Sequence, residues 1–319
     1  MKVIVYCPGD LVTGGPEALH QLAAKGKALG YPVSIFYWPK AQTAGSKKAY
    51  GDYGVSVSSE VNDDPDTFVV VPESQTHLLR RFRNAKKVVW WLSIDNYYKS
   101  VNAFSLRRFL TRKPMFSLEE MKDIFHAVQS EYAREHLIEI GYKNIFMVTD
   151  YIRRDFLYQV QDILTAEKKD TVLYNPAKGI EFTQRLINID SSINWEPIAN
   201  KTPGEVIEML KAAKLYVDFG HHPGRDRLPR EAALCGCCVL TGIRGSARNN
   251  VDMPIPERYK YDQEKAGVDL EIVSHIRETI EKYSSFISDF DAYRESIRNQ
   301  EAAFTEEVGR LLESFDLCA

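Results

Sequence analysis

The sequence predicts an α/β protein built from two doubly wound domains. Short apolar runs, rich in β-branched and aromatic residues, alternate with stretches of helical periodicity over most of the 319 residues. This alternation is typical of βαβ units with parallel strands. The length is sufficient for two domains of ordinary size. The polar segment Ala166–Asp170 interrupts the alternation and predicts a boundary between them.

Ten apolar runs are expected to form buried parallel strands, since turn residues flank most of them. These runs are Val3–Tyr6, Val33–Tyr37, Phe68–Val71, Val88–Leu92, Ala127–Gln129, Ile145–Val148, Val172–Tyr174, Trp195–Ile198, Leu215–Phe219 and Cys238–Thr241. The stretch Lys40–Asp66 is polar and rich in Gly, Ser and Asp, which predicts a long loop.

Helix ends are marked by specific residues. Pro16 fits the first position of a helix after the first strand, and Gly30 is expected to end that helix in a left-handed conformation. Thr202 and Glu205 frame a Pro-Gly pair and predict a capping box. From about Ile276 onward, apolar residues recur at helical spacing and predict a helical tail.

The composition limits the possible partners and compartments. The net charge is −3, so no global basic field favours nucleic acid. Five cysteines, an odd number with three close together, favour a reducing cytoplasm over a disulfide framework. The start lacks the layout of a signal peptide, and no run approaches the roughly 18 apolar residues of a membrane span.

The segment Asp218–Leu240 carries the strongest functional signal. It contains a strand end, a glycine-rich cationic loop, a helix and a second apolar strand. Backbone amides at a helix start, together with arginines and histidines, suit a phosphorylated ligand. Glu231 could accept both hydroxyls of a ribose, or it could merely favour the helix start. The arginines of this region could bind phosphate or form a solvated basic loop; they are Arg225, Arg227, Arg230, Arg244 and Arg248.

The histidines and the cysteines of this segment could each suggest a metal site. No cysteine or carboxylate at zinc-like spacing accompanies His221 and His222, and neighbouring histidines on an extended chain point in opposite directions. The segment Cys235–Cys238 enters a strand, which favours small buried thiols. We therefore expect no metal site.

Three further loops could contribute to a ligand site. Lys178 and Ser246 lie in glycine-containing turns after predicted parallel strands, where α/β sheets bind ligands. Asp95 follows another strand among aromatic residues, which suits a sugar ring or a polar turn at the end of a core strand. The loop Cys7–Gly15 matches neither a dinucleotide nor a P-loop pattern. The basic, partly apolar stretch Lys99–Phe116 could contact an anionic membrane or a lipid-linked acceptor, or be a solvated loop.

Four segments, in this order along the chain, resemble bacterial glycosyltransferases of the GT-B fold, especially the retaining family 4. They are similar to that family's first glycine-rich loop and helix, the end of its N-terminal domain, its lysine-glycine turn and its donor-site signature. These segments are Gly14–Ala23, Gln129–Leu137, Asn175–Gly179 and Leu228–Val239.

The resemblance implies two Rossmann-like domains with a cleft between them. Residues 1–166 would form an acceptor-side domain and residues 167–275 a nucleotide-sugar domain, with helices in residues 276–319 crossing back to the first. It implies glycosyl transfer from a nucleotide-diphosphate sugar, without metal or other cofactor. The acceptor would be a glycan or lipid-linked sugar in capsule or other cell-surface polysaccharide synthesis, met at the inner membrane face.

The resemblance also assigns residues. Glu231 would hold the donor ribose, Lys178 would contact the diphosphate, and Gly14 and Gly15 would let their loop approach the substrates. Asp95 occupies the place of the polar residue at the reacting sugar. His222, Arg225, Arg227, Arg230, Arg244 and Ser246 complete the expected donor site.

One position departs from the family pattern. The family has an acidic residue eight positions before the ribose glutamate, where this chain has Pro223. Asp226, five positions before Glu231, is the candidate substitute and the second expected catalytic residue. Two other functions stay open: a sugar-nucleotide epimerase of the same fold, and a non-catalytic module that binds nucleotide sugars.

Overall fold

A computed structural model of the chain describes residues 1–39, 44–111, 114–161 and 167–317. The chain forms two compact units, each with its own sheet. The first unit comprises Met1–Tyr151 and Glu301–Ala319, and the second comprises Ile152–Gln300. The boundaries expected after residues 166 and 275 therefore both fall inside the second unit, whose ends lie at 152 and 300.

The strands and helices alternate along the chain. The strands are β1 (Lys2–Pro8), β2 (Val33–Trp38), β3 (Ser56–Val57), β4 (Thr67–Pro72), β5 (Lys86–Trp91), β6 (Phe125–Val128), β7 (Ile145–Met147), β8 (Lys169–Tyr174), β9 (Asn194–Pro197), β10 (Ala213–Asp218), β11 (Cys238–Gly242) and β12 (Lys260–Tyr261). The helices are α1 (Gly14–Ala28), α2 (Ala44–Ala49), α3 (Ile94–Thr111), α4 (Glu131–Glu139), α5 (Arg154–Gln159), α6 (Ile180–Ile189), α7 (Pro203–Ala212), α8 (Arg227–Leu234), α9 (Val268–Glu281), α10 (Tyr283–Phe286), α11 (Asp291–Arg298) and α12 (Gln300–Asp316).

The first unit is a parallel sheet in the order β3-β2-β1-β4-β5-β6-β7. Alternate residues of β1 face two different cores, because successive side chains of a strand point to opposite faces. Val3 and Val5 belong to the core that α12 helps to close, where Phe315 stacks on Phe68. The chain order reverses between β1 and β4, which is where ligands bind in such sheets.

The second unit is a parallel sheet in the order β12-β11-β10-β8-β9. Its order reverses between β8 and β10. Cys235, Cys237 and Cys238 are fully buried free thiols in the core of this unit, as the sequence predicts. Burial raises the pKa of each of these thiols, that of Cys237 to about 11.

Most predicted elements are present, with local differences. All ten predicted strands occur, although β9 lies at a sheet edge and is mostly exposed rather than buried, and Thr202 and Glu205 form the predicted capping box. The long loop predicted over Lys40–Asp66 is interrupted by α2 and β3, whereas residues 58–66 do form a loop; residues 40–43 lie outside the described part. Helix α1 begins at Gly14, so Pro16 is its third residue rather than its first. Among the described residues, no helix is long and apolar enough to cross a membrane.

Candidate functional site

The candidate site lies at the carboxyl ends of β8 and β10, in the second unit. These two strands are neighbours, and the strand order reverses between them. Strand β8 leads into the turn 175–179, and β10 leads into the loop 219–226 before α8. Loops at a reversal point diverge to opposite faces of the sheet and leave a crevice between them, which is a general ligand position in this class of fold.

Lys178 and Asp218 join the two loops. The Asp218 side chain is buried at the end of β10, where it accepts hydrogen bonds from the Tyr216 hydroxyl at 2.9 Å and from the Gly220 N–H at 3.1 Å. The Lys178 Nζ lies 3.1 Å from the Asp218 Oδ2, and it also donates to the Asp226 carboxylate. The ammonium of the first loop is thus held by one carboxylate at the end of β10 and one in the second loop.

His222 completes this cluster from within the second loop. Its ring is fully buried, with Nδ1 2.8 Å from the Asp226 Oδ2 and Nε2 3.6 Å from the Asp218 Oδ1. Burial by itself would raise the pKa of Asp226, but His222 and the charge of Lys178 outweigh it and lower this pKa to about 2. Asp226 is therefore an anion at neutral pH.

Two glycines allow the loops to approach so closely. Gly179 has φ +66°, and a Cβ at this position would lie 2.4 Å from the Gly220 backbone nitrogen. A Cβ at Gly220 would lie 2.5 Å from the Lys178 Cγ. Any larger residue at either position must push the loops apart, since such contacts are far inside van der Waals distance. The glycines thus set the position of Lys178.

The loop after β11 supports the second loop by backbone pairing. The His222 N–H donates to the Arg244 carbonyl at 3.3 Å, and the Ser246 N–H donates to the His222 carbonyl at 2.9 Å. The Ser246 hydroxyl donates to the Gly224 carbonyl at 2.6 Å and is buried. Ser246 therefore fixes the loop in this structure, whereas the sequence suggested direct donor contact.

Arg230 supports the same loop from inside the unit. Its side chain is 1% exposed and donates to the Asp226 and Arg225 carbonyls at 3.2 and 2.9 Å. It also donates to the Gln300 Oε1 at 2.9 Å. The buried guanidinium therefore positions the loop in this structure, whereas the sequence suggested direct donor contact.

The remaining expected donor residues lie near the start of α8 or on the next loop. Glu231 is partly buried on α8, and the Arg227 Nε lies 3.5 Å from its Oε1. Arg225 is partly buried in the loop that precedes this helix. The half-exposed Arg244 pairs with Glu264. The structure thus places Arg227, which directly follows Asp226, beside Glu231, one turn further along α8.

The expected residues of the first unit follow two strands of its own sheet. Gly14 and Gly15 begin α1 after β1, and Asp95 lies in the first turn of α3 after β5. Strand β4 separates β1 from β5, so these residues are not neighbours along the sheet. The side chains of residues 103–113, most of the basic stretch Lys99–Phe116, lie outside the described part.

Sequence reasoning missed two acidic residues. Asp218 ends β10, and Glu73 directly follows β4, so each lies at a sheet reversal point. The signal available in the sequence was an acid at the end of a continuous apolar run. Neither residue belongs to a sequence motif. Only the order of the strands in each sheet shows that both lie at a reversal point.

The cluster also contains a possible set of metal ligands. Atoms of Asp218, His222 and Asp226 lie within 4.8 Å of one another. The inference that no carboxylate at zinc-like spacing accompanies His221 and His222 is therefore wrong, because Asp218 and Asp226, four residues before and after His222, both lie beside its ring. The donor set alone would suit a divalent cation, but the Lys178 ammonium already contacts both carboxylates.

Comparisons with known proteins identify the fold. No protein-family model and no curated protein matches the sequence. Among solved structures, a sucrose-phosphate synthase from Thermosynechococcus elongatus matches with a TM-score of 0.64 and 10% identity over 100% of both chains. WaaG, a glycosyltransferase involved in lipopolysaccharide biosynthesis, matches with a TM-score of 0.59 and 12% identity over 96% of this chain and 99% of WaaG.

A third similar structure is considerably longer. TarM of S. aureus matches with a TM-score of 0.56 and 12% identity over 80% of this chain, which spans only 56% of TarM. These three are structural matches among retaining enzymes of family 4. At such low identities the likeness shows the fold, and the GT-B fold class predicted from the sequence is confirmed.

Proposed function

We propose that this protein is a glycosyltransferase that uses a nucleotide-diphosphate sugar as donor. The observation that carries this proposal is the position of Lys178, which a glycine turn holds at the reversal point of the second sheet. The start of α8, with Glu231, belongs to the same site. Structures of the same fold support it, because an α-glucosyltransferase and TarM are each described in complex with UDP.

Lys178 is assigned to the donor diphosphate. Its ammonium has three N–H donors, and contacts with Asp218 and Asp226 account for two of them. The third is available for a phosphate oxygen. Held by two carboxylates, the ammonium needs little reorganisation when negative charge builds on the leaving diphosphate, which is the condition for electrostatic stabilisation of a transition state. The arginines near α8 would share this charge.

Asp226 is assigned to the donor sugar. With a pKa of about 2 it is ionised at neutral pH, so it cannot act as a proton donor there. An anion beside the sugar stabilises the positive charge that develops at an anomeric carbon during transfer. This role fits the residue that replaces the earlier acid of the family pattern. Asp95 is the corresponding candidate in the first unit.

Glu231 is assigned to the nucleotide ribose. A carboxylate accepts two O–H donors at once, and the Arg227 Nε lies 3.5 Å from the Glu231 Oε1. Replacing Glu231 with Ala should therefore weaken donor binding by about 1–3 kcal/mol, the usual cost of losing hydrogen bonds to a charged group. Calorimetric titration with the preferred nucleotide sugar measures this. The control is Glu278→Gln, which removes an exposed charge from α9.

Transfer is proposed to be independent of metal. The Lys178 ammonium contacts both carboxylates that a cation would need, so a metal would have to displace it. We expect full activity after dialysis against EDTA. Activity that disappears with EDTA and returns with Mg²⁺ or Mn²⁺ would overturn this part and assign the cluster to metal binding.

The acceptor is proposed to be a glycan or a lipid-linked sugar in cell-surface polysaccharide synthesis. Support comes from the shared fold with WaaG, whose description names lipopolysaccharide biosynthesis. A cytoplasmic protein acting at the inner membrane face would meet such acceptors. This assignment concerns the biological role and is separate from donor chemistry.

The test is a turnover assay with purified protein. UDP, GDP and dTDP sugars are combined with glycan acceptors, with CMP sugars as the monophosphate control, and both released nucleotide and glycosylated product are measured. We expect one donor class to release nucleotide only when acceptor is present. Donor epimerisation without acceptor would indicate an epimerase instead. Donor binding with no release against any acceptor would indicate a binding module.

A further inference from the structure

Glu73 is a buried acid at the reversal point of the first sheet. It directly follows β4, beside β1, where the chain order reverses. Only 2% of the residue is exposed, although glutamate is almost never fully buried without a partner. The hydrogen-bond partners of its carboxylate therefore indicate what this residue does.

The Glu73 carboxylate holds the turn between β5 and α3. Its Oε2 accepts the Leu92 N–H at 3.0 Å, and it also interacts with the Ser93 N–H and the Asn96 side chain. The Ser93 hydroxyl accepts the Asn96 N–H at 3.1 Å at the start of α3. Asp95 lies between these two residues, so one carboxylate fixes the turn that carries it.

The protonation of Glu73 is governed by burial. Burial raises its pKa to about 7, although the N–H donors of Leu92 and Ser93 act in the opposite direction. Among the described side chains, the titratable residues besides Glu73 on the 3-10 segment Glu73–Arg81 and on α3 are His77, Arg80, Arg81, Asp95, Tyr97, Tyr98 and Lys99.

Both arginines of the segment Glu73–Arg81 have other contacts. Arg80 pairs with Glu120, and Arg81 lies over the Trp38 ring. On β5, Lys86 and Lys87 lie at the amino end, a strand length from Leu92. Burial and hydrogen bonds are the causes of the shift, so the state of Glu73 follows pH near neutrality.

We propose that the ionised Glu73 carboxylate is a positioning group that holds the β5–α3 turn, and with it Asp95, and that protonation releases this turn. An ionised carboxylate is an acceptor only, which suits the N–H groups around it. A protonated carboxyl presents an O–H donor and loses acceptor capacity toward them, so the N–H groups separate from it while the carboxyl itself stays buried. The consequence for transfer rests on the proposed function, whereas the effect on the turn does not.

The first test measures the turn itself by hydrogen exchange of the backbone amides of residues 92–96. After correction for intrinsic exchange, protection in the wild-type protein should fall several-fold from about pH 8 to about pH 6, with about tenfold as the limit for a single group that titrates near pH 7. In Glu73→Gln, which does not titrate, protection should not depend on pH. The proposal is overturned if wild-type protection is constant over this range, or if the variant shows the same decline.

Asp63 provides a matched control. Its carboxylate also accepts backbone N–H groups, from Arg83 at 2.9 Å and Ala85 at 2.8 Å. These hydrogen bonds hold its pKa below the usual value, so it does not titrate near neutrality. Asp63→Asn should leave the pH response of residues 92–96 as in the wild type. Loss of that response in the control would contradict a specific role for Glu73.

The second test is the pH profile of the transfer reaction. The wild-type rate should decline below about pH 7, chiefly in kcat, and Glu73→Gln should lose this limb. An unchanged limb in the variant overturns the positioning role. If no donor and acceptor pair reacts at all, the proposed function fails, and the exchange measurement still decides whether Glu73 controls the turn.

Discussion

At the scale of single residues, His126 shows how a buried polar group depends on its protonation state. The ring is fully buried on β6, where its Nδ1 accepts the Trp91 indole N–H at 3.0 Å. With that tautomer its Nε2–H donates to the Met121 carbonyl at 2.9 Å. Protonation would set the His126 Nδ1–H against the Trp91 indole N–H, so that two donors face each other. Burial lowers the pKa of His126 to about 4.

This pKa predicts acid sensitivity of the first unit. The unfolded chain takes up a proton near the ordinary pKa of histidine, about 6.5, and the folded state resists it. The stability from His126 is therefore present above about pH 6.5 and is lost as pH falls toward 4. From about pH 7 to about pH 5 the loss should be about 2 kcal/mol.

Urea unfolding of His126→Gln at these two pH values measures the effect. The pH-dependent loss should shrink by that amount, while the opposite contribution of Glu73 is common to both proteins and cancels. His136→Gln is the control, since His136 is only partly buried and bonds the exposed Tyr98 hydroxyl. Equal pH dependence in His126→Gln and wild type would contradict the assignment.

Gly179 is the residue on which the second site depends most directly. Gly179→Ala adds a Cβ 2.4 Å from the Gly220 nitrogen at φ +66°, so the two loops must separate. We expect nucleotide affinity to fall by about tenfold or more, as calorimetry would measure. Gly204→Ala is the control, because a Cβ there meets nothing within 4 Å. Unchanged affinity in Gly179→Ala would show that loop contact is unnecessary.

At the scale of elements, the start of α7 was predicted from sequence because its signal is local. The Thr202 hydroxyl accepts the Glu205 N–H at 3.3 Å, and the Glu205 carboxylate accepts the Thr202 N–H at 2.7 Å. Thr202→Ala should cost about 1 kcal/mol in the free energy of unfolding. Thr202→Ser retains the hydroxyl and should lie close to wild type. Denaturant titration of both variants measures this, and a Thr202→Ala protein as stable as Thr202→Ser would contradict the role of the hydroxyl.

Other elements could not be predicted, because their causes are not local. The strands β3 and β12 have two residues each, too few for a periodic pattern. Gly26 lies inside α1 at a cost in helix propensity. Packing explains the glycine at this position, since a Cβ there would lie 2.6 Å from the Val33 Cγ2 and 3.2 Å from the Leu312 Cδ1.

The candidate site also has a part that the sequence could predict and a part that it could not. Lys178, His222 and Asp226 could be singled out from the glycine-rich turns that contain them. Their contact with Asp218 follows from the pairing of β8 with β10, which no single segment encodes. The buried position of Arg230 likewise follows from α11 ending beside α8, where Gln300 accepts its hydrogen bond.

At the scale of the whole molecule, the chain leaves the first unit once and returns once. The chain returns to the first unit between Gln300 and Glu301, and each of these two residues is bonded within its own unit. Gln300 is bound by Arg230 in the second unit, whereas Glu301 pairs with Lys25 in the first. Each unit also has its own sheet and cores, so nucleotide binding should stabilise chiefly the second unit against unfolding.

The central claim is that the Lys178 cluster binds the diphosphate of a nucleotide. Its most direct test is calorimetric titration of nucleoside diphosphates in EDTA with wild type, Lys178→Met and the exposed control Lys282→Met. We predict that one nucleoside diphosphate binds wild type and control alike, and binds Lys178→Met about tenfold or more weakly. Equal affinity for all three proteins, or no binding of any nucleoside diphosphate, would contradict the claim.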